Sequence, residues 1–314
     1  MKRREFIALL GGVAVAWPLV ARAQQRDRLR RIAVVMQYLE TDPQGQLRAT
    51  AFREGLEKAG WVSGRNIRVD YLWGVMDSEW TGGITEHLRQ RVPDVIAINS
   101  SIGLRAIESA APGVPIVFIA VSEPVAQGFV ASLARPGGNI TGFALFEFAI
   151  GAKWLELLKQ IAPSVTRVAV IYDPATPNAT GFLPMIEAAG RSFGVDVFAY
   201  SVRDTAETER IITTFAAEPN GGLIPVASAL MGNQRDFIIS LAHRYRLPNV
   251  FAFRYYPANG GLASYGVDPI NLYKRAASYV DRILKGEKPA DLPVQMANKY
   301  ELVINLKTAK ALRP

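Results

Sequence analysis

The sequence predicts an α/β protein of two similar lobes, each built on a parallel sheet. Short apolar runs rich in β-branched residues alternate with amphipathic stretches of about 10–15 residues, which is the pattern of βαβ units. This alternation runs through a first series, breaks near residue 143, and starts again at Ile150. Polar residues also recur just after the apolar runs, at the strand ends where parallel sheets bind ligands.

The first series contains five predicted strands and four predicted helices. Asp42 and Pro43 are a good N-cap and first-turn pair for its first helix, and Gly60 ends that helix. Ser122 and Glu123 stand at the end of the most apolar strand, and Pro124 is expected to begin the next helix. The strands are predicted at 31–36, 67–71, 94–99, 115–121 and 140–143, and the helices at 43–59, 78–91, 101–110 and 125–134.

The second series repeats this order, and a tail follows that departs from it. Its helices are predicted at 150–161, 179–193, 205–217 and 233–245, and its strands at 167–172, 195–200, 222–226 and 249–253. The tail contains a short strand at 261–266, an amphipathic helix at 269–285 and a last strand at 302–306. Two series of four or five strands predict two lobes of similar construction.

Polar and aromatic side chains at the strand ends are the candidate ligand-binding residues. Serine hydroxyls and helix N-terminal amides suit a carboxylate, Glu123 or Asp268 could meet an ammonium group, and the aromatic rings could stack on a flat ligand. Each serine could instead serve only as an N-cap, and each ring only as packing, so the prediction rests on their recurrence at one edge of both series. The candidates are Tyr38, Asn99, Ser100, Ser101, Ser122, Glu123, Tyr172, Asn178, Ser228, Tyr255, Tyr265 and Asp268.

The sequence contains no recognisable catalytic or metal-binding set. The two histidines, His87 and His243, lie in separate predicted helices, and there is no cysteine for thiolate chemistry or disulfides. Zinc-protease, nucleophile-elbow and phosphate-loop motifs are missing from the sequence, and its acidic residues lack metal-site spacing. We therefore expect a protein that is not an enzyme and that uses no cofactor or metal.

The first 23 residues read as an export signal. A basic segment at 2–4, an apolar segment at 6–20 and a small-residue site at 21–23 predict cleavage after Ala23. Arg3 and Arg4 precede Phe6 as in a twin-arginine signal, but Lys2 stands where that signal prefers Ser or Thr, so general secretory export stays open. Cleavage would remove four bases and one acid, lowering the net charge from +8 to +5.

The exported chain is expected to be soluble in a periplasm, since it has no cysteine for a lipid anchor. Its remaining bases are scattered rather than clustered, so nucleic acid is not an expected partner.

Three long segments resemble one family. They are VSEPVAQGFVASLARPGGNITG, AKWLELLKQIAPSVTRVAVIYDP, and GGLASYGVDPINLYKRAASYVDRILKGEKPADLPV followed by KYELVINLKTAKAL. Together they resemble the periplasmic substrate-binding proteins of ABC transporters, in the branch with tryptophan-binding-like members. The resemblance covers essentially the whole chain after the signal. It implies the type I periplasmic-binding fold, in which two Rossmann-like lobes with parallel-rich sheets are joined by three crossover segments.

The resemblance also implies lobe boundaries and residue roles. The crossings would lie near 142–147, 253–257 and 285–292. The first lobe would comprise 29–142 plus 254–288, and the second 143–253 plus 289–314. Ser100, Ser101 and Ser122 match first-lobe ligand positions, Asn178 and Ser228 match second-lobe ones, and Tyr265 and Asp268 match the strand near a crossing. Glu123 stands where relatives commonly have Asp, so the pocket there should differ from theirs.

The sequence thus favours a receptor that closes its lobes on a small ligand and delivers it to an inner-membrane permease of an ABC importer. An amino acid or an aromatic carboxylate is the expected ligand, and the protein is expected to be monomeric. Two alternatives stay open at this point. One is an exported α/β enzyme acting on a small molecule, and the other is a ligand-sensing partner of a membrane receptor.

Overall fold

A computed structural model describes residues 29–74, 78–177, 179–297 and 299–312. The predicted export signal therefore lies outside the described residues. The strands are β1 Arg30–Met36, β2 Ile67–Trp73, β3 Val95–Ile98, β4 Ile116–Val121, β5 Ile140–Ala144, β6 Arg167–Tyr172, β7 Asp196–Ser201, β8 Gly221–Pro225, β9 Val250–Phe251, β10 Ala263–Val267, β11 Gln295–Met296 and β12 Tyr300–Ile304. The α-helices are α1 Pro43–Lys58, α2 Ser78–Gln90, α3 Ser101–Ala110, α4 Ile150–Ile161, α5 Ala179–Phe193, α6 Thr205–Phe215, α7 Ala229–Asn233, α8 Arg235–Arg244, α9 Tyr255–Ala258, α10 Pro269–Leu284 and α11 Leu306–Ala311.

The first lobe is a parallel six-stranded sheet in the order β11-β5-β4-β3-β1-β2. Its four inner strands, β1, β3, β4 and β5, are buried on both faces, as their continuous apolar runs predict, whereas the edge strands β2 and β11 are mostly half-buried. Val34 of β1 joins the core that contains Phe52 of α1, whereas the next residue, Val35, joins the core that contains Leu104 of α3. Because side chains alternate along a strand, helices cover the sheet on both sides.

The second lobe repeats this layered arrangement. Its three parallel strands run β7-β6-β8, and a bridge between Leu223 and Asn249 links them to β9-β10-β12. Only β10 and β12 pair antiparallel among the named strands. Val170 of β6 joins the core beside Trp154 of α4, and its neighbour Ile171 joins the core beside Leu241 of α8. The predicted α/β class with parallel-rich sheets is therefore confirmed.

The chain passes between the two sheets three times. It crosses after β5, after β10 and after β11, because β10 belongs to the second sheet whereas β11 pairs with β5 in the first. The predicted lobe boundaries, which gave 254–288 to the first lobe and 289–314 to the second, differ from this strand pairing. The partner of a short strand is set by which edge is free to pair, and the composition of these strands does not reveal it.

The segment after β4 corrects one prediction. The helix expected at 125–134 is absent from this described stretch, which forms a series of turns. Glu123 has φ of 46° and Gly128 has φ of 76°, both in the left-handed region that interrupts a right-handed helix. Phe129 and Val130 of this segment are nevertheless buried in the first-lobe core. Their apolar character reflects this burial rather than helical periodicity.

The helix expected at 233–245 is also divided. Its first residue, Asn233, ends α7, and after Gln234 the segment forms α8. Gln234 is buried, and its side-chain oxygen accepts a hydrogen bond from the Thr208 hydroxyl at 2.8 Å. Ser228 is the N-cap of α7, which begins at Ala229, four residues before the predicted helix start at 233.

Candidate functional site

A cavity of about 90 Å³ lies between the two lobes, at the C-terminal ends of the parallel strands. The first lobe contributes residues that follow β1, β3 and β4, and the second contributes residues that follow β8 and β9. It is lined by Gln37, Tyr38, Arg48, Asn99, Ser100, Ser101, Ile102, Ala120, Ser122, Leu145, Thr176, Phe182, Ala227, Ser228, Ala229, Phe253, Tyr255, Pro269 and Tyr273. This is the edge at which the sequence places a ligand.

Seven of the twelve candidate residues line this cavity. They are Tyr38, Asn99, Ser100, Ser101, Ser122, Ser228 and Tyr255. Two of the serines are also N-caps, since the Ser100 hydroxyl oxygen accepts from the Gly103 amide at 3.0 Å and that of Ser228 from the Met231 amide at 3.2 Å. Capping and cavity lining are therefore compatible in the same side chain. The cap fixes the hydroxyl at the cavity wall.

Four other candidates are placed away from the cavity wall. The Glu123 carboxylate accepts from the Phe148 amide at 3.2 Å, and Asp268 caps α10 by accepting from the Ile270 amide at 2.9 Å. Tyr265 stacks on Tyr300 with ring centroids 5.7 Å apart. Tyr172 is half-buried against the core, and Asn178 lies outside the described residues. Neither carboxylate expected to meet an ammonium group is therefore among the cavity-lining residues.

Ser122 lies between two residues with strained backbones. Ala120 has φ of 62°, at the point where the pairing of β4 with β5 shifts register, and Glu123 has φ of 46°. Residues without a glycine's freedom rarely adopt these angles, and such strain clusters at ligand sites. The bulge ends the strand and turns Ser122 to the cavity, while the Glu123 contact with Phe148 holds the turn in place.

Arg48 is a cavity residue that the sequence analysis missed. It lies on α1 and is 2% exposed. Its Nη1 donates to the backbone oxygen of Gln44 at 2.7 Å and to the Gln44 Oε1 at 3.1 Å. The guanidinium also lies over the rings of Tyr38 and Tyr255, at 5.0 and 5.7 Å from their centroids. It thus contacts a ring from each lobe.

The guanidinium of Arg48 stays charged in this environment. Burial acts to lower its pKa, and the oxygens of Tyr38, Tyr255, Tyr273 and Asp42 outweigh that effect, so the pKa of Arg48 is raised. A sequence signal for its burial exists. Arg48 stands four residues before Phe52 and eight before Leu56, so all three lie on the apolar face of α1.

Tyr273, on α10, is the second residue that the sequence analysis missed. It is 1% exposed and lines the cavity, yet its hydroxyl has no hydrogen-bond partner among the described residues. Burial raises the pKa of Tyr273 well above its ordinary value, so the phenol is neutral. A buried hydroxyl without a partner costs free energy, which makes it a candidate donor or acceptor for a ligand.

An ion pair joins the two lobes beside the cavity. The Arg235 Nη1 of α8 lies 2.7 Å from the Asp42 Oδ2, and the two side chains are only 12% and 10% exposed. The other oxygen of Asp42 caps α1, accepting from the Gln44 amide at 2.7 Å and the Gly45 amide at 3.3 Å. Burial acts to lower the pKa of Arg235, but the hydrogen bond to Asp42 and the attraction of Asp42, Asp236 and Tyr255 together outweigh it, so the pKa is raised. One carboxylate therefore serves helix α1 and the contact between lobes.

The described residues contain no group of acidic, histidine or cysteine side chains that could hold a metal ion. Within the same part of the chain, none of the helices has the length and apolar character needed to span a membrane.

Residues 31–313 match the family described as ABC transporter substrate binding protein. A tyrosine-binding protein of Clostridioides difficile is 25% identical over 261 residues, which cover 83% of this chain and 75% of that protein.

Two solved structures are similar to this chain over nearly its whole length. A conserved domain protein of Vibrio cholerae is 27% identical, with a TM-score of 0.83 over 91% of this chain and 95% of that one. An ABC domain of Streptococcus pneumoniae in complex with L-Trp is 22% identical, with a TM-score of 0.82 and the same coverage. These likenesses confirm the predicted periplasmic-binding-protein fold. The chain belongs to the ABC transporter substrate-binding protein family, and it is a protein that binds a small ligand for such a transporter.

Proposed function

We propose that this chain is an exported receptor that closes its lobes on an amino acid or an aromatic carboxylate and delivers it to an inner-membrane permease. The observation that carries the proposal is the cavity between the lobes, whose wall is built from strand ends of both sheets. A ligand held there contacts both lobes at once, so its binding favours the closed arrangement over an open one. The permease then recognises the closed, ligand-bound form.

The contacts between lobes support this mechanism. Arg48 of the first lobe lies over Tyr255 of the second, and Asp42 of the first pairs with Arg235 of the second. Hinge opening would separate these groups and expose them to water. Contacts within the protein therefore contribute part of the free energy that favours the closed state, and the bound ligand contributes the rest.

The chemistry of the wall supports a small ligand with an acidic group and a ring. Serine hydroxyls and the arginine suit a carboxylate, while Phe182, Phe253 and Tyr255 offer ring faces. Two of the three relatives named above are a tyrosine-binding protein and a structure with bound L-Trp. A cavity of about 90 Å³ between the lobes favours a small ligand over peptides and oligosaccharides.

We further propose that the chain is exported through its N-terminal signal, cleaved after Ala23, and works as a monomer in the periplasm. The basic, apolar and small-residue segments of the first 23 residues support export, and the arginine pair favours the twin-arginine route. N-terminal sequencing of periplasmic protein tests the cleavage site, and it contradicts the proposal if the signal is retained.

Calorimetric titration of the purified chain with amino acids and aromatic acids tests the proposed site. Ser101→Trp puts a large ring into the cavity, whereas Ser109→Trp, on the same helix, puts it on the exposed face. We expect a ligand of one class to bind the parent and the Ser109→Trp variant, and Ser101→Trp to lose that binding while remaining folded. Equal binding by both variants would place the ligand elsewhere and refute the site.

A further inference from the structure

Arg48 is a buried cation without a carboxylate in contact among the described residues. Its Nη1 donates to the backbone oxygen and Oε1 of Gln44, both uncharged acceptors, and its Nε and Nη2 make no hydrogen bond to the described residues. The one carboxylate that acts on its pKa, Asp42, forms its short contact with Arg235 instead. Buried charges in proteins are generally paired, since an unpaired one costs several kcal/mol by the usual estimate. The unmet partner of Arg48 is therefore an anion that enters the cavity.

The described part of the cavity wall has no carboxylate that could pair with a cation. Among the described residues that line the cavity, Arg48 alone carries a full charge, and none is Asp or Glu. The acidic groups in neighbouring segments do not line the cavity. Glu123 accepts from the Phe148 amide and Asp268 from the Ile270 amide. Asp173, in the adjoining groove, accepts from the Ala175 amide at 2.9 Å and the Thr176 hydroxyl at 3.0 Å.

We propose that this cavity selects a small organic acid that carries a carboxylate and no ammonium group, with Arg48 and the Tyr273 hydroxyl as the residues that bind the carboxylate. The inference rests on the proposed function and narrows its two ligand classes to one. An amino acid would bring an ammonium group into a cavity whose described wall offers no carboxylate and already contains one cation. Removing that ammonium from water without a partner disfavours binding.

Tyr273 supplies the independent observation. Its hydroxyl is buried, lines the same cavity as Arg48 and has no hydrogen-bond partner among the described residues. A phenol that donates to a carboxylate makes a charge-assisted hydrogen bond, and the same carboxylate can accept from the free N–H groups of Arg48. One ligand group thus satisfies both residues, which come from different helices of the first lobe. Tyr38 and Tyr255 flank the guanidinium and hold it in place.

The test uses pairs of probes that differ only in the amine. Hydrocinnamate is compared with phenylalanine, phloretate with tyrosine, and hydrocinnamamide serves as the uncharged analogue. Calorimetric titration of the whole exported chain should give at least tenfold tighter binding for each acid than for its amino acid. Amino acids that bind as tightly as the matched acids would overturn the inference.

Substitutions then assign the recognition to the two residues. Arg48→Gln should weaken hydrocinnamate binding by roughly 10- to 150-fold, the range for a hydrogen bond to a charged group. It should weaken hydrocinnamamide binding much less, since the amide loses only the Arg48–Tyr255 contact that favours closure. Arg53→Gln, an exposed charge change on the same helix, is the matched control and should change neither affinity. Unchanged hydrocinnamate affinity in Arg48→Gln would refute the assignment.

The Tyr273→Phe variant separates a loss of ligand binding from a loss of folding. Because the hydroxyl has no partner among the described residues, its removal should leave the thermal midpoint unchanged or raise it. Hydrocinnamate binding should still weaken, by roughly 10- to 150-fold, the range for a hydrogen bond to a charged group. A Tyr273→Phe variant that binds the acid as tightly as the parent would remove this residue from the site.

The two proposals fail in different ways. If phenylalanine or tyrosine binds and Ser101→Trp abolishes that binding, the receptor function stands and the acid-only inference is wrong. If no probe of any charge type binds to the parent, the proposed ligand classes fail, and the inference fails with them.

Discussion

The ion pair between Asp42 and Arg235 should set how readily the protein closes. Asp42→Asn is the perturbation of choice, since Asn is as good an N-cap as Asp and can keep the bonds to the Gln44 and Gly45 amides. The change removes the charge that Arg235 contacts at 2.7 Å. Folding of the first lobe should therefore survive, while the closed state loses a contact between lobes.

The burial of the Asp42–Arg235 pair determines how much free energy the closed state should lose. Exposed ion pairs contribute about 0–1 kcal/mol, but these side chains are 12% and 10% exposed, and a hydrogen bond between charged groups at such a site contributes about 1.5–3 kcal/mol. If the free receptor is mostly open, the whole free energy of the lost ion pair is subtracted from the free energy of ligand binding. The dissociation constant should then rise roughly 10- to 150-fold. The effect should be smaller if the free protein is already mostly closed.

Calorimetry gives the affinity, and small-angle X-ray scattering gives the compaction on binding. Glu287→Gln is the matched control, because Glu287 pairs with Arg282 at 2.6 Å within the first lobe and both side chains are nearly half exposed. We expect the control to bind like the parent. The reasoning is refuted if Asp42→Asn binds as tightly as the parent, or if Glu287→Gln weakens binding equally.

Three further predictions test other parts of the structure. Ser122→Ala should weaken ligand binding without lowering the thermal midpoint, since Ser122 lines the cavity and its hydroxyl caps no helix; an unchanged calorimetric affinity would remove it from the site. Gly266→Ala should destabilise the protein by about 1–3 kcal/mol in denaturant titrations, because a Cβ there would overlap the backbone oxygen of Ala252; a neutral result would contradict the packing of β10 in the second sheet. Burial raises the pKa of Tyr71 to about 12, so the folded state keeps this phenol neutral while the unfolded chain ionises near pH 10. The contribution of Tyr71 to the free energy of unfolding is thus complete below pH 10 and is lost as the pH rises from 10 to 12. The phenolate absorbance of the folded Tyr71→Phe variant should therefore equal that of the parent at pH 10 and fall below it near pH 12.

The regular elements of the fold could be predicted because their signals are local. Helix α4 and strand β6 match the predicted residues at both ends, since each is a clear periodic run with polar or proline boundaries. The segment 125–134 has a comparable apolar content, but the left-handed Gly128 and the burial of Phe129 against the sheet make it a loop. Sequence periodicity does not report such a tertiary constraint.

The site could be predicted only in part, because some of its residues are placed there by tertiary packing. Strand-end serines are recognisable because the C-terminal edge of a parallel sheet is a general binding edge. Arg48 was missed because a charged residue on a helix is usually solvated, and its position on the apolar face with Phe52 was the one available signal. Tyr273 comes from the tail, and its place at the cavity depends on how α10 packs against α1 across the first lobe.

Thermal unfolding of the exported chain against a panel of amino acids, aromatic acids, sugars and purines tests the central claim, that the cleft binds one class of small ligand. A compound at about a hundred times its dissociation constant adds roughly 2.7 kcal/mol, which raises the midpoint by several degrees. We predict such a shift for aromatic acids in the parent and in Ser109→Trp, and none in Ser101→Trp. A midpoint that no compound moves, or one that moves equally in Ser101→Trp, would contradict the claim.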